Sequence, residues 1–178
     1  MAAAAAAAPL SVRASVARAV TVPELVAESR HVVLGAAVDS FAKKERIGRR
    51  ECIVTYSLFQ VEEPLAGSEP STAELMVRTL GGTLGTVGQL FHGEAVVALH
   101  RRATLFLREA GTELFAVTAM AQGHYPVEAD QAGVHRLHAA FDAVHLVGDA
   151  ESAMRRLHGL RVGEARELLR LEAARGAR

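Results

Sequence analysis

The sequence predicts a mainly β protein: a small, partly open antiparallel barrel with a short helix before it and two helices after it. Three observations lead there. Residues 51–63 alternate in side-chain character and are rich in β-branched and aromatic types, the pattern of one long, curved strand. Further short apolar runs recur at close spacing between Gly, Pro and Asp breaks, with no alternation of strand and helix. Helical spacing dominates only from Asp149 onward.

The elements follow in order. Residues 1–19 begin as an alanine tract and end in Ala17-Arg18-Ala19, which has the small-x-small form of a signal-peptidase site, although no positive charge follows Met1. The alternative is a disordered low-complexity tail. On either reading this segment stands outside the fold. Cleavage there means export to a periplasmic or extracellular space, and retention means a cytoplasmic protein. Residues 22–29 read as a helix, with Thr21 as its cap, Pro23 in the first turn and Glu24 near its positive end. Residues 31–38 form a first strand.

Asp39 to Arg50 changes character. Lys43, Lys44, Arg46, Arg49 and Arg50 crowd around Gly48, which reads as a long charged hairpin loop before the 51–63 strand. Pro64 to Ser71 breaks that strand, and 73–80 forms the next. A glycine-rich segment, 81–88, leads to a hairpin of 103–108 with 113–120, extended through 123–127. Asp130 and Gly133 frame a type I turn before a last strand at 134–139. Two helices, 150–158 capped by Asp149 and 164–174, are separated at Gly159 and Gly163. The expected organisation is therefore a leader or tail at 1–19, a β-barrel domain at 20–148 and a helical tail at 149–178.

A pattern runs through residues 22–128: Val32-Val33-Leu34-Gly35, then Val61-Glu62-Glu63-Pro64-Leu65-Ala66-Gly67, Gly81-Gly82, Gly93-Glu94, Leu105-Phe106-Leu107 and Gln122-Gly123. In this order it resembles a family of uncharacterised exported bacterial proteins. More distantly it is similar to the netrin-like domain of tissue inhibitors of metalloproteinases, a barrel of the OB type. That resemblance implies the barrel and export. It does not carry the inhibitory mechanism, because those inhibitors chelate the protease metal through an N-terminal cysteine and this chain has none near its start.

Composition removes several functional classes. Lys plus Arg and Asp plus Glu number 20 each, so no whole-chain basic imprint argues for nucleic acid. Aromatic residues make up only 4%, which leaves the core to Val, Leu and Ala. One cysteine, Cys52, excludes a disulfide framework and reads as a buried inert thiol. No apolar run is long enough for a spanning helix.

Individual motifs fare no better as chemistry. Gly82-x-x-Gly85-x-x-Gly88 lacks the Gly-Lys-Ser/Thr of a phosphate loop, and glycines that permit tight turns and close strand approach account for it. His92-Gly93-Glu94 lacks the downstream Pro-Cys-x-x-Cys of a zinc deaminase. His135, His138, Asp142 and His145 would line one arc of a helix as a metal face, but on a strand His135 and His138 point to opposite sides. Glu62 and Glu63 are adjacent and face opposite ways, so they cannot share acid and base work.

The sequence therefore favours a non-enzymatic binding module with no cofactor, using Lys43, Lys44, Arg46, Arg49 and Arg50 and the barrel rim to dock a protein or polyanion. One alternative is an assembly protein that forms a homo-oligomer through 150–175, where Leu157, Leu160, Val162, Leu168 and Leu171 supply apolar surface. Another is a metal-dependent enzyme using His124, His135, His138 and His145.

Overall fold

The chain begins its described course at Val16 and is traced to Gly176 in a computed structural model; the alanine tract at 1–15 and the last two residues lie outside the described residues. Its elements are β1 (Val16–Arg18), α1 (Val22–Ala27), β2 (His31–Ile47), β3 (Arg50–Gly67), β4 (Glu74–Leu80), β5 (Gly82–Leu84) and β6 (Val87–Gln89). They continue with β7 (Arg102–Gly111), β8 (Leu114–Val117), β9 (His124–Ala129), β10 (His135–Leu137), β11 (His145–Val147), α2 (Ala153–Leu157) and α3 (Val162–Gly176). The protein is mainly β with three helices, as the alternation of the sequence predicts.

The main sheet runs β10-β9-β7-β2-β3-β4-β8, and β8 also pairs with β7. Pairing therefore passes from β2 to β3, β4, β8 and β7 and returns to β2. The closing step, β4 with β8, is parallel, whereas the other steps are antiparallel. The ring is irregular. β8 contributes only four residues, β7 is shared with β9, and β2 and β3 shift register at three places between Val32 and Asp39. Such bulges add local twist and bend the paired strands around the ring. Gly35 sits at one of them, where a Cβ would lie 2.0 Å from the Gln60 carbonyl oxygen, so no larger residue fits without moving β3.

Strand alternation divides the apolar residues into two cores. Val33, Ala37, Phe59, Leu75, Val77, Leu105, Leu107 and Val117 face the inside of the ring. Val32, Leu34, Phe106, Tyr125 and Val127 face outward and are covered by Leu25 of α1, Leu157 of α2 and Ala165 and Leu169 of α3. The helices at 153–176 are thus a covering layer of the β domain. Leu157 is fully buried and Leu160, Val162 and Leu168 pack on the same core, so most of the apolar surface expected to join copies is covered within the chain. Leu171 alone of that set is exposed.

Local chemistry explains the helix ends. Thr21 and Glu24 form a reciprocal capping box at α1: the Thr21 hydroxyl accepts from the Glu24 N–H, and the Glu24 carboxylate accepts from the Thr21 N–H at 2.8 Å. The backbone bond from Thr21, then Arg18, lowers the Glu24 carboxyl to about 2. α2 is capped by Ser152, whose hydroxyl accepts from the Arg155 N–H, rather than by Asp149, because a three-residue 3-10 turn at 149–151 delays the helix.

Three further expectations are corrected. Residues 16–19 belong to the fold: β1 pairs in parallel with β11, Ala19 is buried, and the Gln122 side-chain amide holds the Arg18 carbonyl and the Val20 N–H. The 39–50 segment is no loop, since β2 continues to Ile47 and only Gly48 and Arg49 turn. The 113–120 strand stops at Val117; beyond it Ala119 and Met120 take left-handed φ values at the entry to a 3-10 turn, Met120–Gly123.

Candidate functional site

From Asp39 onward β2 pairs only with β3, and β3 in turn loses β4 beyond Val54, so the hairpin runs on as a two-stranded arm from Lys44 and Ile53 to the turn. Its β2 residues read as a loop because they are charged, but charge does not oppose strand structure where the side chains themselves reach water, as those from Asp39 to Ile47 do in whole or in part. Each residue from Asp39 to Ile47 has a partner in β3. Cross-strand pairs then stabilise the ladder. Phe41 stacks on Tyr56 with ring centroids 5.2 Å apart, and Lys44 pairs with Glu51 at 3.2 Å. Gly48 takes the tight turn with φ +62°, a conformation glycine adopts without a Cβ clash.

One face of the arm is organised by Glu45. Its carboxylate accepts from the Tyr56 hydroxyl, from Arg78 Nε and Nη2 at 3.1 and 2.9 Å, and pairs with Lys43 Nζ at 3.2 Å. The Tyr56 hydroxyl first, then Arg78 and Lys43, lower the Glu45 carboxyl to about 2, while Glu45 in turn raises Lys43. Lys43 Nζ also sits 4.4 Å from the Tyr56 ring centroid. This knot ties the arm to β4 and orients Lys43.

Arg46, Arg49 and Arg50 are different. They are exposed, and among the described residues none makes an ion pair or side-chain hydrogen bond. The structure thus gathers all five predicted basic residues on one arm, engaging the two lysines and leaving the three guanidinium groups to solvent. The knot itself lay beyond sequence reasoning. Glu45, Tyr56 and Arg78 come from three strands, and only the β2–β3–β4 register brings them together.

The glycine-rich segment lies at one end of the ring interior. There it forms the β5–β6 hairpin over a groove of about 410 Å³ lined by Thr55, Thr79, Leu90, Phe91, Glu94 and Val97 among others. Gly82 is required by closeness: it has φ +123°, and a Cβ there would lie 2.2 Å from Thr55 Oγ1. No helix follows the glycines, so no ring of helical N–H groups awaits a phosphate. The groove's polar groups already serve its own walls. Thr55 donates to the Gly81 carbonyl at 2.7 Å, Gln89 accepts from the Ile53 N–H at 2.6 Å, and Glu94 accepts from the Ala95 N–H at 3.0 Å. Burial raises the Glu94 carboxyl above its ordinary value. No nucleophile–base pair accompanies it in the lining.

The histidine set is dispersed. His135 lies exposed in β10, and Asp142 and His145 are exposed further along. His138 is half-buried just past β10, its ring 5.5 Å from that of His158. His124 is buried in β9, where desolvation lowers it to about 4. Among the described residues no three His, Cys, Asp or Glu side chains come together as a metal would need. Cys52 is buried and unpaired.

No protein-family model and no curated protein matches this chain.

Proposed function

We propose that the protein is a binding module built on a barrel of the OB or netrin-like type, whose β2–β3 arm docks a negatively charged partner. The barrel reading is supported by the strand order, with a long bulged first hairpin and a parallel step between β4 and β8. The likeness extends to architecture alone, since the cysteine on which netrin-like inhibitors rely has no counterpart near the start of this chain.

The carrying observation for function is the arm. A chain whose charges balance at zero concentrates five basic residues against two acidic ones between Lys43 and Glu51, with Arg46, Arg49 and Arg50 outside any ion pair among the described residues. Exposed, unneutralised guanidinium groups at a strand tip attract carboxylates and other oxyanions and steer their approach.

The test is a triple reversal, Arg46→Glu, Arg49→Glu and Arg50→Glu, compared with the parent chain on an immobilised acidic protein and a polysulfated polysaccharide. The parent is expected to be retained at low salt and the variant to flow through. Equal elution of the two, with the variant folded by circular dichroism, would sink the reading.

A further inference from the structure

We infer that the outer edge of β2, residues 40–47, takes up an extended acidic polypeptide segment as an added strand. This rests on the arm as the interaction surface and names its partner class and geometry.

The edge is open. β2 pairs with β7 only through Ala36, and the last tie on that side is the bridge of Ala37 to Leu99, with the His100 N–H on the Ala37 carbonyl at 2.8 Å. Beyond it, among the described residues, the backbone from Asp39 to Ile47 bonds to β3 and to no other element, apart from the Ser40 N–H, which donates to the neighbouring Asp39 carboxylate at 2.8 Å. In an antiparallel pair alternate residues of the outer strand turn their N–H and C=O away from the partner. Over the eight residues 40–47, the four that turn outward offer a row of donors and acceptors about 25 Å long.

Open edges invite any strand, and lysines on them commonly discourage pairing. Here the charges decide which strand is refused. A second copy arriving edge to edge would set three basic residues, Lys43, Lys44 and Arg46, with the single carboxylate of Glu45 among them, against the same set, and a net like-charge contact across a ladder is destabilising. An acidic strand reverses that sign.

The alternation of β2 specifies the strand further. Ala42, Lys44 and Arg46 share one face, while Phe41, Lys43, Glu45 and Ile47 share the other, where Lys43 and Glu45 pair with each other and Phe41 and Ile47, 51% and 36% exposed, flank them. Neighbouring strands align their faces, so the complementary segment sets acidic residues toward Lys44 and Arg46 and apolar ones toward Phe41 and Ile47. A nucleic acid would meet the positive charge but leave the backbone row without partners.

The experiment uses the full chain and a labelled eight-residue peptide alternating Glu with Val, followed by fluorescence anisotropy at low salt. Two further peptides carry N-methyl groups on one or the other alternate set of backbone amides. The plain peptide is expected to bind, and one methylated peptide to bind at least about tenfold more weakly while the other does not. Amide exchange at alternate residues of 40–47 is expected to slow when the plain peptide is added.

If both methylated peptides bind as well as the plain one, strand addition is overturned while charge docking by the arm survives. If a single-stranded oligonucleotide binds more tightly than the plain peptide, the acidic-strand partner is overturned. Absence of binding by the plain peptide, with no effect of the triple Arg reversal on the acidic columns, overturns both readings.

Discussion

Replacing His124 by Gln should flatten the acid limb of the stability curve by about 3 kcal/mol. His124 is 6% exposed in β9, opposite Leu105, and burial alone lowers its imidazole from 6.5 to about 4. The unfolded chain therefore takes up a proton near pH 6.5, whereas the folded chain resists until about pH 4. Protons bound preferentially by the unfolded state favour unfolding, so stability is full above 6.5 and falls as pH drops toward 4. At 1.36 kcal/mol per pH unit, this depression corresponds to a loss of about 3 kcal/mol across the window. The assay is urea unfolding of parent and His124→Gln at intervals from pH 7.5 to 4, with the His124 ring followed by NMR. Parallel loss of stability in the two proteins, or a ring that titrates near 6.5, would refute the reasoning. A depressed, neutral His124 also explains how a histidine expected among metal ligands serves as packing.

Two other changes probe the arm and the helical layer. Glu45→Gln removes the charge that Arg78 and Lys43 share; in this partly exposed knot the loss should be about 1–2 kcal/mol at pH 7. Because the Glu45 carboxyl is lowered to about 2, its contribution is present above roughly pH 4.5 and disappears as pH falls through 2, so the gap between parent and variant should close there. A gap of equal size at pH 7 and pH 2 would contradict the electrostatic account. Leu169→Ala, at a fully buried position of α3, should cost about 2–5 kcal/mol in a single urea transition. A loss under 0.5 kcal/mol, of the order seen for surface changes, would mean that α3 does not cover the β core.

Much of the backbone could be read from local signals. The 51–63 alternation, the Thr21–Glu24 capping box and the Asp130–Gly133 turn appear where residue chemistry places them, because each depends on neighbours within a few positions. The glycine spacing likewise appears as turn chemistry places it: its glycines serve a short hairpin and a close approach to Thr55. Reading failed where long-range pairing overrides local character. Residues 39–47 look like a loop by charge and become a strand because β3 supplies partners for them. Val16–Arg18 carries no strand signal of its own and is held by β11 and Gln122, more than a hundred positions away.

The sequence by itself determined the mainly β class, the Thr21 cap of α1 and the presence of five basic residues close together. These rest on alternation, hydrogen-bonding side chains and composition, all of which are properties of short segments. Only the tertiary structure decided that the basic residues lie on a strand with an open edge, that two lysines are engaged while three arginines are not, and that the C-terminal helices cover the domain they follow. Those outcomes depend on which strand stops where: β7 releases β2 at Ala36 while β3 continues beside it to the turn. A stopping point of that kind is set by the register of the whole sheet and by its bulges, and no window of local sequence encodes it.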